Sequence, residues 1–484
     1  MVESEEQAPP TPPDPAESTL GPVRTTAYGL GSVVDTATGV YLNTFLYFYL
    51  TAVCGLSGAL AGLALAVTLA VDAVADPLVG SWSDGARSLL GRRAPFMFGS
   101  IAPTAISLGC LFSVPAHLGG VGLFAYVLAF TLILRIGLSL FNVPYQALGA
   151  ELSSDYHRRS SLAIVRVAMS TIGSLAPTLL GYGVFLSAAA GGQLQRSGYA
   201  PFAWYGAAIV VVGGLISTFG TLPKRGNRGP PLPREQTGNI VLQMWEVARN
   251  PSFVLLFCSF LIFFVAQGTA GALGLHALTF FWKLSPGQIL ITALSALPGV
   301  LVGVALASGL NRVLEKRTLA LSGLLTIFAC QLLPVGLAVL GVLPVSDGVF
   351  VLATANLAAG VGVTFAVVGI QSMMADATDE HELLFGARRE GLYFAGISLA
   401  GKASSGLGIL LAGLAADAVH FPNNLVAAHV EPSWVATRNL ALVQGPGVAL
   451  VTLIPIAMLT RYGLDRRAHA AILRALAKRR EEAS

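Results

Sequence analysis

Apolar runs long enough to cross a membrane recur along this chain and leave it few alternative folds. We predict twelve runs of about 20 residues or more, the length that a helix needs to span the hydrocarbon core of a bilayer. Only 11% of the residues are charged, 54% are hydrophobic and the mean hydropathy is +0.70, whereas a soluble domain carries about 25% charged residues. The sequence therefore predicts an all-α membrane protein with twelve transmembrane helices.

A long hydrophilic stretch separates the first six apolar runs from the last six. The chain also begins with an acidic, proline-rich stretch that is typical of a disordered tail. From these composition changes we predict a disordered cytoplasmic tail (1–24), an N-terminal six-helix bundle (25–222), a cytoplasmic linker (223–250), a C-terminal six-helix bundle (251–462) and a cytoplasmic C-terminal helix or tail (463–484).

The distribution of positive charge predicts which way the chain crosses the membrane. The chain contains 29 Lys and Arg residues. If both ends are cytoplasmic, the basic residues in loops on the opposite side are Arg196, Lys283 and Arg438. Cytoplasmic loops of membrane proteins are enriched in Lys and Arg. We therefore expect a multi-pass protein of the cell membrane, with a bacterial inner membrane as its setting and both termini in the cytoplasm.

Two carboxylates interrupt the second apolar run. Asp72 and Asp76 are four residues apart, so in a helix they lie on one face, one turn from each other. Ionised groups are costly in lipid and therefore face a bundle interior or a water-filled cavity. We expect this face of the second helix to look into a polar cavity that the rest of the protein provides.

Charged loops after helices 2 and 8, and after helices 4 and 10, match each other and suggest two duplicated halves. Four motifs carry a resemblance to a known family. The sequence resembles the major facilitator superfamily and, within it, the melibiose permease-like glycoside–pentoside–hexuronide:cation symporter family. The motifs are DAVADP at 72–77, GRRAP at 91–95, NVPY at 142–145 and GARREG at 386–391, followed by Lys402. The resemblance implies two pseudo-symmetric six-helix bundles (the major facilitator fold) that rock around a central site. Animal lysophosphatidylcholine symporters share the paired aspartates and the lysine.

The same resemblance predicts a substrate site. Asp35, about 14 Å into the first span, matches a sugar-binding aspartate, and a carboxylate can accept hydrogen bonds from two neighbouring hydroxyls. Asn142 stands where a second aspartate is found in the family, which weakens a clamp of two carboxylates. Arg166 matches an arginine that helps to hold the sugar; the alternatives are a structural charge pair between Asp35 and Arg166, and a charge at the cytoplasmic end that anchors helix 5. The predicted substrate-binding residues are Asp35, Asn142, Tyr145, Arg166, Gln371 and Lys402.

Asp72 and Asp76 match the cation site of the family. Carboxylate oxygens bind hard cations such as sodium, and two nearby carboxylates can instead share a proton. Arg135 departs from the family, where this position is usually small. Its permanently charged guanidinium could reach either aspartate and replace the ion. We therefore hypothesise transport that is proton-coupled or uncoupled. The predicted cation-coupling residues are Asp72, Asp76, Arg135, Ser139 and Lys402.

Lys402 needs an anionic partner inside the membrane, and Asp72 or Asp76 would serve. Alternative interpretations are that Lys402 holds the helices together or binds an anionic part of the substrate. The charged loops at the cytoplasmic ends are predicted to form weak ion pairs that break as the bundles rock. The predicted gating residues are Asp84, Arg87, Arg92, Arg93, Glu151, Arg388 and Arg389.

These features predict a secondary active transporter of a small polar solute, a sugar or glycoside, that works by alternating access and is coupled to a cation (H⁺ or Na⁺). The alternatives are a lysolipid or amphiphile symporter of the same fold, for which the aromatic-rich helix 1 leaves room, and a transport-inactive membrane sensor locked by Arg135. We expect no enzyme activity, no bound cofactor or metal and no nucleic-acid partner. The expected partners are the solute and the lipid bilayer, and the expected state is a monomer.

Overall fold

A computed structural model describes residues 21–86, 88, 90–152, 156–222, 245–387, 389–423, 425 and 431–483. The regular secondary structure in these ranges is helical. Several predictions lie outside the described residues: most of the N-terminal tail and of the linker, and the proposed gating residues Arg87 and Arg388. The side chain of Glu151 is also outside the description.

The N-terminal half forms six long helices. They are α1 (Pro22–Val40, continued by π-helical turns at Tyr41–Leu46 and Tyr49–Val53), α2 (Gly58–Gly85), α3 (Ala94–Leu111), α4 (Gly120–Glu151), α5 (Tyr156–Leu180, with a π-helical turn at Gly181–Phe185) and α6 (Tyr199–Gly220).

The C-terminal half repeats this arrangement and adds a surface helix. Its helices are α7 (Pro251–His276, with a π-helical turn at Ala277–Phe281), α8 (Pro286–Leu294 and Ala296–Val313), α9 (Lys316–Val339), α10 (Gly348–Phe385), α11 (Glu390–Ala418), α12 (Trp434–Leu442, Val443–Gly447 and Val448–Thr460) and α13 (Arg466–Ala483).

Within the described ranges, α2 to α12 provide eleven helical stretches that are long and apolar enough to cross a membrane. α1 is more polar, because it carries Asp35 and Asn43, but it has membrane-spanning length and packs against α5 and α6. The predicted fold of twelve transmembrane helices is therefore confirmed.

The two bundles have the same internal packing. In the first bundle α1 packs against α5 and α6, α3 against α4 and α6, and α2 against α4. In the second bundle α7 packs against α11 and α12, α9 against α10 and α12, and α8 against α10. Adding six to every number of the first set gives the second. This correspondence is the pseudo-symmetry that the duplicated loops predict.

We call the face where α1 begins the terminal face and the opposite face the distal face. α13 lies at the terminal face, where Arg480 pairs with Glu382 near the end of α10 at 2.8 Å. At the distal face, aromatic side chains of the second half of α1 are fully buried against aromatic side chains of the same bundle. The ring pairs are Tyr41 with Phe112, Phe45 with Phe202 and Tyr49 with Tyr199. Aromatic packing of this kind fixes the distal half of α1 and, with it, the side chains that α1 presents to the other bundle.

α2 and α11 form the main contact between the bundles. Their backbones meet at the distal end, where a Cβ on Gly413 would lie 2.0 Å from the carbonyl oxygen of Gly58. Only glycine permits this approach. The pseudo-equivalent seam, between α5 and α8, is much less extensive.

Candidate functional site

A cavity of about 370 Å³ lies between the two bundles, bounded by α1, α4 and α11. Most of the residues that line it have polar or charged side chains. The residues that line it are Asp35, Thr36, Gly39, Leu42, Asn43, Arg135, Leu138, Ser398, Gly401, Lys402 and Ser405. Helical spacing explains this lining, because residues 35, 39 and 43 of α1, and residues 398, 402 and 405 of α11, each lie on one helix face.

Lys402 crosses this space to reach the other bundle. Its ammonium group on α11 donates to Oδ2 of Asp76 on α2, so the anionic partner that the lysine requires is present. The lysine side chain remains 44% exposed to the cavity, and that of Asp76 remains 24% exposed. Oδ1 of Asp76 is buried and has no hydrogen-bond partner in the described part of the chain. This pair is the charged link between the bundles at the level of the cavity.

Asp72 has its partner inside its own bundle. Nη1 of Arg135 on α4 lies 3.4 Å from Oδ2 of Asp72, and the two side chains are 21% and 9% exposed. The predicted contact between this arginine and the paired aspartates is therefore present. Ser139 is buried one turn further along α4. Arginine keeps its charge in proteins, so Asp72 has a permanent counter-ion.

A third carboxylate faces the cavity from α1. The amide Nδ2 of Asn142 on α4 donates a hydrogen bond of 2.6 Å to Oδ1 of Asp35. The alternative pairing of Asp35 with Arg166 is not the arrangement seen here. Oδ1 of Asn142 is buried without a partner among the described residues, so the pair keeps a free acceptor.

The balance of charge in the site is slightly negative. Three carboxylates (Asp35, Asp72 and Asp76) face two basic groups (Arg135 and Lys402), which leaves one negative charge if all five groups are ionised. One proton or one monovalent cation would neutralise the site. Chemically, the arrangement can bind a polar solute through carboxylate, amide, hydroxyl and ammonium groups.

Four of the six predicted substrate-binding residues are not among those that line the cavity: Asn142, Tyr145, Arg166 and Gln371. Tyr145 is buried, stacks on the ring of Tyr28 with centroids 4.9 Å apart, and donates to the carbonyl oxygen of Tyr28 at 3.0 Å. Arg166 on α5 and Gln371 on α10 are exposed elsewhere. Their proposed contacts with substrate stay predictions for a state in which the bundles are arranged differently.

The ion pairs described at the terminal face lie inside single bundles. Asp84 at the end of α2 pairs with Arg93 before α3 at 3.1 Å, in the first bundle. In the second bundle, Lys316 pairs with Asp376 at 2.6 Å, and His469 of α13 lies 3.0 Å from Asp379. The proposed switching of Asp84, Arg92, Arg93 and Arg389 between bundles stays a prediction.

The distal face carries polar contacts between the bundles that the sequence analysis did not find. Asp417, at the end of α11, accepts hydrogen bonds from the backbone N–H groups of Gly58 and Ala59 at 3.0 and 2.9 Å, and so caps the start of α2. His276 of α7 lies 2.8 Å from the hydroxyl of Thr51. Asn43 of α1 bonds Ser405 of α11 at 2.9 Å. For Asp417, His276 and Thr51 the only sequence signal is a polar side chain close to the end of an apolar run, whereas Asn43 and Ser405 lie inside their runs.

Comparisons with known proteins show the family of this chain. A family model described as MFS/sugar transport protein matches residues 27–466. An uncharacterized symporter of Synechocystis sp. is 26% identical and aligns over 82% of this chain and 85% of its own length. The isoprimeverose transporter of Lactiplantibacillus pentosus is 24% identical over 80% of this chain and 78% of its own.

Two further similarities are to a relative that matches part of the chain and to a solved structure. The sodium-dependent lysophosphatidylcholine symporter 1 of Gallus gallus is 30% identical over 32% of this chain and 29% of its own length. The crystal structure of the nucleoside transporter NupG superposes with a TM-score of 0.60 at 16% identity, covering 92% of this chain and 100% of that one. Because the family model extends over both bundles and all three walls of the cavity, the chain belongs to the MFS/sugar transport protein family of major facilitator transporters, which are not enzymes.

Proposed function

We propose that this protein is a proton-coupled symporter of a small hydroxylated solute, a sugar or glycoside. The observation that carries the proposal is a cavity between the bundles with hydrogen-bonding groups on both walls. Asp35, held by Asn142, stands on one wall, and Lys402, bonded to Asp76, stands on the other. A solute bound here would touch both bundles, so its binding would be linked to their relative movement.

The lining of the cavity favours a polar solute over an amphiphile. Leu42 and Leu138 are its aliphatic side chains, and the remainder are charged, hydroxyl-bearing, amide or glycine positions. A volume of about 370 Å³ lies at the lower end of the range for small-molecule sites, roughly 300–1,000 Å³. A lysolipid needs a long apolar surface for its acyl chain, and these walls do not provide one.

The pairing of Arg135 with Asp72 supports protons rather than sodium as the coupling ion. The guanidinium is attached to α4 and already neutralises one of the two carboxylates on which a sodium ion would depend. Asp76 is the other of the two carboxylates, and a proton on Asp76 can replace its ion pair with Lys402. Protonation of Asp76 would release Lys402 and weaken the charged link between the bundles.

The basic residues at the terminal face support an orientation in which this face lies in the cytoplasm. The terminal face carries basic residues after α12 and along α13, including Arg461, Arg467 and Arg474, as cytoplasmic segments do. We therefore propose that both termini are cytoplasmic, in a bacterial inner membrane, and that a monomer is sufficient for transport.

The proposal can be tested with purified protein in liposomes. Uptake of labelled xylosides and glucosides would be measured under an inward proton gradient, with sodium or choline as the external salt. We expect uptake that follows the proton gradient and is unchanged by sodium. Stimulation by sodium that is lost in Asp76→Asn would contradict proton coupling. Uptake of lysophosphatidylcholine but no sugar would contradict the substrate class, and no flux of any tested solute would favour a sensor.

A further inference from the structure

We propose that Asn43 and Ser405 are a specificity-determining pair that binds two neighbouring hydroxyl groups of the solute at the distal end of the cavity. The inference rests on the proposed function, because it assumes that a hydroxylated solute occupies this space. Ser405 Oγ on α11 donates to Asn43 Oδ1 on α1 at 2.9 Å, and both residues line the cavity.

Asn43 and Ser405 lie at the end of the cavity that is opposite Asp35 and Lys402. Asn43 is two helical turns from Asp35 on the same face of α1, about 12 Å along the helix axis. Ser405 lies about one turn from Lys402 on the facing side of α11. The cavity therefore has a charged end, with Asp35 and Lys402, and an uncharged polar end, with Asn43 and Ser405.

The uncharged end retains hydrogen-bonding capacity. In the structure the pair makes one bond to each other, from the serine hydroxyl to the amide oxygen. The amide also carries two N–H donors, and the serine oxygen has lone pairs that accept. One solute hydroxyl can accept from the Asn43 amide while its neighbour donates to Ser405. A vicinal diol, which every sugar ring offers, satisfies both groups.

Two glycines keep space open beside this pair. A Cβ on Gly39 would meet nothing closer than Nδ2 of Asn43 at 3.9 Å, and a Cβ on Gly401 would meet no heavy atom within 4 Å. Glycine is therefore not required by packing at either position. Larger side chains there would occupy the cavity itself, so the two residues leave room for the ring of a solute next to the pair.

The pair also links binding to movement, because its hydrogen bond joins the two bundles. Separating the bundles at the distal face breaks this bond and frees a donor and an acceptor for other partners. Hydroxyl groups of a bound solute replace the lost partners. A solute that lacks one hydroxyl leaves a buried polar group unpaired, and sites of this kind discriminate strongly against such analogues.

The test combines protein variants with deoxy sugars. Affinity would be measured by equilibrium binding of methyl glucoside, methyl galactoside and methyl xyloside, and of the monodeoxy forms of whichever binds. Asn43→Ala and Ser405→Ala would each be compared with Ser308→Ala. Ser308 is the matched control because its hydroxyl bonds Ala305 within α8.

We expect each cavity variant to weaken binding of the parent glycoside about three- to tenfold, and the control to leave it unchanged. In Asn43→Ala one particular deoxy form should bind as well as the parent, because the hydroxyl that it lacks no longer has a partner. Equal weakening of the parent and of every deoxy form would assign the pair a structural role and overturn the inference. If the unaltered protein binds none of the glycosides, the proposed function itself fails, which is a distinct result.

Discussion

Two ion pairs lie one helical turn apart on α2, yet they do different things in the molecule. Asp72 is paired with Arg135 on α4, inside the N-terminal bundle, and the contact is largely buried. Asp76 is paired with Lys402 on α11, across the interface between the bundles, and it remains partly open to the cavity. In sequence the two aspartates look equivalent, and their environments make them different.

The difference between the two ion pairs matters for transport, because only one of them joins parts of the molecule that move relative to each other. A pair within one bundle is carried along as a unit when the bundles move, so its energy is the same in every transport state. A pair between bundles must lengthen or break when they part at this level, and its energy therefore changes during the cycle. Only an interaction that differs between two states can shift the equilibrium between them. Asp76–Lys402 meets this requirement, and Asp72–Arg135 does not.

The largest effect is expected when the pair between the bundles is broken. Lys402→Ala should reduce transport at least tenfold, because Asp76 loses its counter-ion and the bundles lose a link whose strength changes during the cycle. Uptake into liposomes under a proton gradient measures this. The matched control is Lys316→Ala, which removes a lysine–aspartate pair with Asp376 inside the second bundle.

The control should lower thermal stability and leave uptake close to that of the unaltered protein. The double variant Asp76→Asn/Lys402→Gln should recover the stability lost in Lys402→Ala, since no charge is left unpaired, while its transport stays low. Unchanged uptake by Lys402→Ala would show that the pair between the bundles has no part in the cycle.

A smaller effect is expected from the pair inside the bundle, and it concerns stability. A double-mutant cycle with Asp72→Asn and Arg135→Gln should give a coupling energy of about 0.5–3 kcal/mol, as found for residues in direct contact. Thermal unfolding in detergent measures it. Saturating solute should leave this energy unchanged, because the two helices do not move apart.

The same cycle on Asp76 and Lys402 provides the contrast. Its coupling energy should change when solute is added, since binding shifts the population of states in which the two residues touch. If both cycles respond equally to solute, the distinction between a fixed and a switching pair is wrong.

Much of this architecture follows from the sequence alone. The twelve spans, the division into two bundles and the placement of Asp72 and Asp76 on one face come from periodicity and composition, which act locally along the chain. The requirement that a charge in the membrane has a partner also predicts that Lys402 and Arg135 contact the paired aspartates. These inferences need no knowledge of how the bundles dock.

Contacts that depend on docking were not predictable. The pairing of Arg135 and Lys402 with one aspartate or the other depends on how far α2, α4 and α11 are shifted along the bundle axis relative to one another. No pattern in the sequence encodes this shift. The same applies to Asn43 with Ser405 and to His276 with Thr51, which are separated by hundreds of residues. The packing of Tyr145 also depends on a distant residue, because its ring stacks on Tyr28; the substrate contact that a motif suggested for it stays a prediction.

The smallest effect is expected from a contact between the bundles that involves one charge only. Asp417 caps α2 from the end of α11 through the backbone of Gly58 and Ala59. Loss of a cap typically costs about 1 kcal/mol, so Asp417→Ala should shift the population towards states open at the distal face by about fivefold. This shift is measured by the rate at which a thiol reagent, added from the distal side, labels a cysteine placed in the cavity.

Asp465→Ala is the matched control, since Asp465 caps α13 through Ala468 outside the interface between the bundles. It should leave labelling unchanged, and proton coupling should persist in both variants because Asp76 and Lys402 are intact. Equal labelling of Asp417→Ala and the unaltered protein would mean that contacts at the distal face do not set the balance of states, and would leave Asp76–Lys402 as the principal link.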